Sequence, residues 1–256
     1  MAGKWIMALS GAALVAGAAL AADTASLPPN IAAAVSNPLR PTQDTQRDAN
    51  RKPGEVLAFA GVKEGDQIAE LVPGGTPKGG YFTRLLSKAA GKAGHVYAFY
   101  PTEFDALLAK LKSSIPGEDS NYPNVSIVHQ PLASFTAPVP LDLVWTSQNY
   151  HDLHDSFAGG LDVGALNKAI FAALKPGGIY LVLDHAAAAG SGLRDTETLH
   201  RIDEAAVKKE VEAAGFVLES ESDVLHNPAD PHTAAIFDPA IRGHTDQFIL
   251  KFRKPK

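Results

Sequence analysis

The stretch IAELVPGGTPKGGYFTR, which runs from Ile68 to Arg84, gives the clearest indication of the fold of this chain. A short apolar run ends at Glu70, a glycine-rich turn follows, and a helical pattern of apolar residues begins at Phe82. Doubly wound α/β sheets use this succession of strand, glycine turn and helix to present a nucleotide-sized ligand to a helix N-terminus. The turn contains four glycines, Gly74, Gly75, Gly79 and Gly80. Their spacing differs from the dinucleotide pattern G-x-G-x-x-G, so a purely structural turn remains the alternative.

The rest of the chain alternates strand and helix patterns. Seven apolar runs are predicted strands, at residues 67–71, 95–100, 125–129, 141–145, 179–183, 216–222 and 245–252. Helical patterns separate most of them, a proline-rich link joins the third to the fourth, and the last two, with no helix between them, are expected to pair antiparallel. The pattern predicts a Rossmann-like, doubly wound and mainly parallel α/β sheet of seven strands with a C-terminal antiparallel hairpin. One long helix is predicted at residues 196–214.

Composition limits the classes of partner. The chain has 256 residues, of which 45% are hydrophobic, as expected of one globular domain with a sizeable core. The net charge is −5 and no run of Lys or Arg exceeds two residues, so we expect no nucleic acid partner. The absence of cysteine excludes disulfides, zinc–thiolate sites and thiol nucleophiles.

The N-terminus has the pattern of a signal peptide. Lys4 precedes an apolar, alanine-rich stretch, and Ala19-Leu20-Ala21 is a small-x-small cleavage site. We expect residues 1–21 to be removed and the protein to be exported, in a bacterium to the periplasm, without membrane attachment afterwards. Residues 22–60 then form an N-terminal arm, extended to about residue 40, with a covering helix, and residues 61–256 form the Rossmann-like domain.

Four motifs together resemble those of class I S-adenosylmethionine-dependent methyltransferases. They are IAELVPGG…GGYFTR, which resembles the first motif; LDLVWTSQNYHDLHD, the fourth strand and active-site loop; ALKPGGIYLVLDH, the turn into strand five; and AAGFVLESES, the entry to strand six. Within the family, the chain looks most like a bacterial group of predicted methyltransferases that carry signal peptides. The resemblance implies S-adenosylmethionine as cofactor and a small molecule as methyl acceptor.

The resemblance also implies the residues that bind the cofactor. Those around its methionine part would be Glu70, Gly74, Gly75, Gly79 and Gly80. Tyr100 stands where the family has an acid for the ribose, and Glu103 is a possible substitute three residues later. The resemblance would place Gln130 beside the adenine, at a position where the family often has an acid. The chain further departs from the family by an insertion, Thr76-Pro77-Lys78, within the glycine turn.

The loop after the fourth strand carries the candidate catalytic residues. Asn149, Tyr150, His151 and Asp152 follow a strand at the sheet edge where open α/β folds bind ligands. We predict that Asn149, His151 and Asp152 are catalytic, since His151 or Asp152 is suited to act as a base, and that Tyr150 contacts the substrate. The alternative is that Asp152 caps a turn and its neighbours shape the loop.

Further polar residues are candidates for substrate contacts. His185 ends the fifth strand, and Arg194 lies in a glycine-containing loop that is either a flap or a plain connection. A charged patch of Arg47, Asp48, Arg51 and Lys52 either meets an anionic substrate or, the favoured reading, forms a solvated helix face.

Two further interpretations concern histidines and a long link. The histidines at 151, 154, 185, 200 and 232 suggest a metal site, but no HExxH-type signature occurs, so we predict loop and surface histidines and no metal. In the link between the last two strands, we expect Arg242 to pair with Asp230 or Asp238 and pin the loop.

Three functions are consistent with these patterns. The leading one is methyl transfer from S-adenosylmethionine to a small molecule. The second is an exported protein on the same scaffold that binds another small ligand, because the cofactor is made in the cytoplasm and the usual acids are missing. The third is a histidine-based, metal-dependent hydrolase.

Overall fold

The computed structural model describes residues 27–74, 80–111, 113–117 and 119–256. The predicted leader, two of the turn glycines (Gly75 and Gly79) and the insertion Thr76–Lys78 lie outside the described residues. The strands are β1 (Gln67–Leu71), β2 (His95–Pro101), β3 (Val125–Gln130), β4 (Leu141–Ser147), β5 (Leu174–His185), β6 (Val217–Ser222) and β7 (Gln247–Arg253). They form one sheet in the order β3-β2-β1-β4-β5-β7-β6.

The pairing of the strands confirms the predicted fold class. β1 runs parallel to both β2 and β4, so that Ile68 pairs with Val96 on one side and with Leu143 on the other. β7 runs antiparallel to β5 and to β6, with Leu183 opposite Ile249. The chain moves outward from β1 to β3 and then crosses back to β4, so the strand order reverses between β1 and β4. Open α/β sheets bind ligands at such a switch point.

Short helices cover both faces of the sheet. The α-helices are α1 (Pro29–Val35), α2 (Thr42–Thr45), α3 (Asp48–Arg51), α4 (Pro53–Ala60), α5 (Tyr81–Ala90), α6 (Asp105–Lys110), α7 (Val163–Ala173), α8 (Thr196–Leu199) and α9 (Glu204–Ala213). Within the described ranges, none is long and apolar enough to cross a membrane. Helices α1, α4 and α5 pack on one face of the sheet, and α7 and α9 pack on the other.

Alternation of side chains along the strands produces the two cores. Ile68 and Leu143 belong to the core beneath α5, whereas the next residues, Ala69 and Val144, belong to the core beneath α7 and α9. All four are almost completely buried. Burial on both faces explains why these strands are apolar runs instead of alternating patterns.

The first departure from the sequence-based expectation is at the N-terminus. The arm predicted to be extended contains helix α1, whose Ile31 and Ala34 are buried in the core beneath α5. Pro29 in the first turn is compatible with a helix because that position needs no N–H donor. Burial of the apolar side of this alanine-rich segment therefore favours a helix over an extended arm.

The helix predicted at residues 196–214 is interrupted. Helix α8 ends at Leu199 because His200 adopts a left-handed conformation, with φ of 53°. A new helix, α9, starts at Glu204, where the carboxylate of Asp203 caps it by accepting a hydrogen bond from the Ala205 N–H. The interruption turns the chain sharply at His200.

The link between β6 and β7 is pinned by a residue other than the predicted Arg242. Asp230 is bound by Arg201, whose Nη2 lies 2.8 Å from Oδ2, and both side chains are completely buried. Arg201 also donates to the carbonyl oxygens of Ala186 and Ala234. Among the described residues, no ion pair joins Arg242 to an aspartate. Arg201 is the better anchor because it lies beneath the link, in the interrupted segment before α9.

Candidate functional site

A cavity of about 700 Å³ lies at the carboxyl ends of β1, β2, β4 and β5. It contains the switch point between β1 and β4, and its volume is within the range of small-molecule binding sites. The lining comes from the β1 turn, the end of β2, helix α6, the loop after β4, the end of β5, and segments 47–51, 197–200 and 236–237. The cavity therefore brings together residues that are far apart in the sequence.

Glu70 lies at the β1 end of the cavity with its carboxylate buried. Thr83, in the first turn of α5, donates its hydroxyl proton to Glu70 Oε2, and its Oγ1 accepts the Gly80 N–H at 3.0 Å. Burial raises the pKa of Glu70 to about 7, against the opposing effects of Thr83, Arg84 and Arg51. A Cβ at Gly80 would lie 2.7 Å from the Thr83 hydroxyl, so glycine is required for this arrangement.

The turn after β1 is strained at Val72. This residue has φ of 50°, which is an outlier for a β-branched side chain. Its N–H donates to Phe99 O at 2.9 Å, and its carbonyl oxygen accepts a hydrogen bond from Asn149 Nδ2 at 2.8 Å. Asn149 also donates to Ser147 O and so ties the loop after β4 to the glycine turn. Such strain, held by surrounding bonds, is typical of ligand-binding segments.

The end of β2 and helix α6 provide the apolar part of the cavity. Phe104, Leu107, Leu108 and Phe157 line it beside Tyr100. The Tyr100 hydroxyl is buried and has no hydrogen-bond partner among the described residues. Burial raises the pKa of this phenol, so the hydroxyl remains protonated and available as a donor.

Glu103 and Gln130 do not reach this part of the cavity. The carboxylate of Glu103 accepts the N–H groups of Leu132 and Ala133, each at 3.0 Å, and thereby caps the turn after β3. Gln130 donates from Nε2 to Thr136 O at 2.9 Å and does not line the cavity. The substitution of Glu103 for the ribose acid and the placement of Gln130 beside the adenine therefore do not agree with the structure.

Two arginines of the N-terminal charged patch face the cavity. Arg51 stacks over Tyr81 at 4.9 Å from the ring centre and donates to Gln148 Oε1. Burial, together with Arg47, lowers the pKa of Arg51 to about 10, so it remains a cation at neutral pH. Arg47 also lies over Tyr81 and lines the cavity. The favoured reading of a solvated helix face is therefore wrong for Arg51, which is half-buried, whereas Arg47 is exposed to solvent and also lines the cavity.

A cluster of histidines and aspartates occupies the opposite end of the cavity. His151 Nδ1 lies 2.8 Å from Asp184 Oδ1, and its Nε2 lies 3.2 Å from Asp152 Oδ1. His200 Nδ1 lies 3.6 Å from the same Asp152 oxygen. Burial alone would lower the pKa of His151, but Asp184 and Asp152 outweigh it and raise the pKa to about 10. The two carboxylates therefore favour the protonated, cationic form of His151.

His185 lines the cavity beside this cluster. Its Nδ1 lies 2.7 Å from the hydroxyl oxygen of Thr245, at the start of the chain segment that enters β7. Burial lowers the pKa of His185 to about 3, so the ring is uncharged. The pKa values of the two histidines at this edge of the sheet are therefore shifted in opposite directions, although both residues are close to Asp184.

Two predicted substrate contacts are not part of the cavity. Tyr150 is completely buried in the core, where its hydroxyl donates to Glu210 Oε2 and accepts from Asn167 Nδ2. Arg194 is exposed and pairs with Asp195 at 2.8 Å. Both predictions fail for the same reason, because each side chain is bonded to a partner away from the cavity, Tyr150 in the core and Arg194 at the surface.

The link between β6 and β7 also contributes to the cavity, which no sequence motif indicated. Ile236 and Phe237 from this link line the cavity, and the Phe237 ring contacts His200 edge-on at 4.9 Å. The only signal in the sequence was the unusual length of an irregular connection. The sequence contains a clearer indication for Arg51, because Arg47 and Arg51 are four residues apart and share a helix face.

Comparison with known proteins identifies the fold. No family model matches the chain, and no curated protein matches it. A crystal structure of an S-adenosylmethionine-dependent methyltransferase from Aquifex aeolicus matches with a TM-score of 0.52 at 18% identity, covering 84% of this chain and 98% of that chain. One from Mesorhizobium loti matches with a TM-score of 0.52 at 16% identity, covering 81% and 99%. The cyclase SpnF matches with a TM-score of 0.51 at 20% identity, covering 83% and 80%.

These similarities concern the fold. The chain has the Rossmann-like fold of the S-adenosylmethionine-dependent methyltransferases, including the antiparallel β5-β7-β6 end of the sheet. At 16–20% identity the comparison extends to architecture only. One of the three structures belongs to a cyclase, so function has to be argued from the site.

Proposed function

We propose that this protein transfers a methyl group from S-adenosylmethionine to a small-molecule acceptor. The observation that carries the proposal is the cavity at the switch point, which has a cation and a carboxyl group at one end and an apolar pocket beside them. S-adenosylmethionine is a zwitterionic amino acid joined to a nucleoside. Its binding site therefore needs charged groups next to an apolar pocket.

The residues of the β1 end fit the methionine part of the cofactor. Arg51 supplies a cation for its carboxylate, and Glu70 supplies a carboxyl group for its ammonium. Glu70 has a pKa of about 7 in the buried site, so an adjacent ammonium group would stabilise its ionised form. This polar pair supports the assignment of the end of β1 as the cofactor-binding turn.

The end of β2 fits the nucleoside part of the cofactor, with Tyr100 in place of the family's acid. The Tyr100 hydroxyl, which is buried and has no described partner, is available to a ribose hydroxyl in place of the family's carboxylate. The aromatic and leucine side chains of residues 104–108 and 157 offer an apolar surface to the adenine ring. The cavity volume of about 700 Å³ leaves room for an acceptor as well.

The acceptor would lie at the histidine end of the cavity. Bound cofactor supplies an electrophilic methyl group on sulfur, and the protein has to orient the acceptor towards it and exclude water. Asn149 fixes the loop that carries His151 and Asp152, and His185 adds an uncharged polar group beside them. Asn149 thus acts as a positioning residue in this proposal, and the charged cluster binds the acceptor.

Calorimetry with S-adenosylmethionine and S-adenosylhomocysteine tests the proposal. We expect both ligands to bind and the Arg51→Gln variant to bind about 10- to 100-fold more weakly, because a hydrogen bond to a charged group is lost. Arg194→Gln, which removes an exposed arginine outside the cavity, is the matched control and should bind normally. Absence of binding by the unaltered protein at millimolar ligand contradicts the proposed function.

The alternative is that the same cavity binds a different small ligand. The observation that favours it is Tyr100, which stands where a carboxylate would bind the ribose diol and so weakens the match to the cofactor. Export of the protein, which stays a prediction, would also separate it from the cytoplasmic supply of S-adenosylmethionine. This alternative would be supported if the protein binds neither S-adenosylmethionine nor S-adenosylhomocysteine but is thermally stabilised by another small molecule.

A further inference from the structure

We propose that His151, Asp152 and His200 form a binding site for one divalent transition-metal ion at the acceptor end of the cavity. Their ligand atoms lie within 4.8 Å of one another, and all three residues line the cavity. Two imidazoles and one carboxylate form a set that zinc and the other first-row divalent ions accept. This inference stands on the geometry of the cluster and is independent of whether the cofactor binds.

The spacing of the ligand atoms agrees with a shared ion. Metal–nitrogen and metal–oxygen bonds of about 2.1 Å, at the angles of octahedral or tetrahedral sites, separate neighbouring ligand atoms by about 3.0–3.4 Å. Asp152 Oδ1 lies 3.2 Å from His151 Nε2 and 3.6 Å from His200 Nδ1. The third pair of atoms, from His151 and His200, lies within 4.8 Å, so binding of one ion would draw the two imidazoles towards each other.

Asp184 holds His151 in the orientation that a metal ligand requires. One carboxylate oxygen lies 2.8 Å from His151 Nδ1, and the other accepts the His151 backbone N–H at 2.8 Å. This pairing keeps a proton on Nδ1, so Nε2, which faces Asp152, is the nitrogen that releases its proton when the ion binds and then coordinates it. Carboxylate–histidine pairs of this kind are the usual outer support of protein metal sites.

The carboxylate of Asp155 lies beside the cluster and has only weak partners, Thr196 and His200. Asp155 lines the cavity, its side chain is 1% exposed, and neither oxygen has a hydrogen-bond partner of good geometry among the described residues. One of these oxygens lies 3.9 Å from His200 Nδ1. A buried carboxylate that lacks strong partners is costly, and a nearby cation would reduce that cost. Asp155 therefore points independently to a positive charge at this place.

The fold places His200 in the cluster by interrupting a helix. His200 has left-handed backbone angles between α8 and α9, and Phe237 packs against its ring. A left-handed residue other than glycine is unfavourable unless the surroundings hold it, and such positions are concentrated in functional sites. The left-handed backbone at His200 ends α8, and the imidazole there lies beside Asp152.

The open side of the cluster faces the cavity. An ion held by three protein ligands retains free coordination positions there for water or for an oxygen or nitrogen atom of a bound molecule. If the cavity also binds S-adenosylmethionine, the methyl acceptor belongs to the class of oxygen- or nitrogen-bearing molecules that coordinate such an ion. This last step alone depends on the proposed function.

Titration of chelator-treated protein with Co²⁺ tests the site, because imidazole coordination changes the visible d–d absorption of the ion. We expect one ion per chain, and we expect Asp152→Asn and His200→Asn to weaken binding on the order of 10- to 100-fold or more. Asparagine is suited to position 200 because it tolerates left-handed backbone angles. Both side chains are partly exposed, so these variants should fold, as circular dichroism would verify.

His226→Gln is the matched control. His226 lies 2.9 Å from Asp246 and forms a histidine–aspartate pair that does not line the main cavity. The proposal predicts unchanged Co²⁺ absorption in this variant. Equal binding by unaltered protein and Asp152→Asn, or loss of absorption only in His226→Gln, would overturn it. Cofactor calorimetry on the same chelator-treated protein separates failure of the metal site from failure of the proposed function.

Discussion

Replacing Glu70 by glutamine should make the protein more stable at neutral pH. The Glu70 carboxyl is buried against Thr83, and burial raises its pKa from 4.5 to about 7. Between these two pH values the folded protein keeps the proton on Glu70 while the unfolded chain has lost it. The free energy of unfolding therefore decreases as the pH rises through this interval. Glutamine keeps the shape and can still accept the Thr83 hydroxyl proton, but it does not titrate.

The size of the effect follows from the interval. A pKa that rises from 4.5 to about 7 on folding lowers the free energy of unfolding by about 3 kcal/mol. The full decrease applies above pH 7, and there is none below pH 4.5. Urea unfolding, followed by circular dichroism at several pH values across this range, measures it. The difference between the variant and the unaltered protein should grow from near zero to about 3 kcal/mol in favour of Glu70→Gln.

An exposed glutamate provides the control for Glu70. Glu55 lies on the solvent side of α4, so Glu55→Gln should leave the pH dependence of unfolding unchanged. The reasoning is refuted if Glu70→Gln and the unaltered protein lose stability in parallel between pH 4.5 and 7. Under the proposed function, Glu70→Gln should also weaken cofactor binding, so that stability and binding change in opposite directions.

Two further predictions concern Tyr100 and the buried ion pair. Tyr100→Phe should weaken S-adenosylmethionine binding by about 0.5–1.5 kcal/mol in calorimetry, without loss of stability, because its hydroxyl has no described partner; unchanged affinity would remove Tyr100 from the ribose site. Arg201→Met should cost about 3–5 kcal/mol in urea unfolding, because it leaves Asp230 buried and unpaired. Exposed Arg242→Met is its control, and equal stability of the two variants would contradict the anchoring role of Arg201.

The site residues that could be predicted are those whose position is set by the local strand and turn pattern. Glu70 and Gly74 lie at the cavity because a strand that ends in a turn places its last residues at the sheet edge whatever its partners are. His151, Asp152 and His185 lie there for the same reason, after β4 and β5. Tyr150 shows the limit of this reasoning, since one position along the same loop directs the side chain into the core.

Residues from distant segments could not be placed in advance. The pairing of Asp184 with His151 joins positions 33 residues apart, and Arg51 reaches Gln148 across 97 residues. Phe237 enters the cavity from a link without periodicity. No local pattern indicates which surface such residues meet, because their position depends on how helices and links pack against a completed sheet.

Local sequence patterns were sufficient to predict the Rossmann-like sheet, its antiparallel end and the edge at which the site lies. Apolar runs that have to be buried on both faces, glycine turns and helical periodicity act locally, so they can be read along the chain. The tertiary structure alone decided that Arg51 is a cavity residue and that His151, Asp152 and His200 converge. These contacts form only when α3, the loop after β4 and the interrupted α8–α9 segment pack together, and the burial and charges they meet there give the residues their chemical properties.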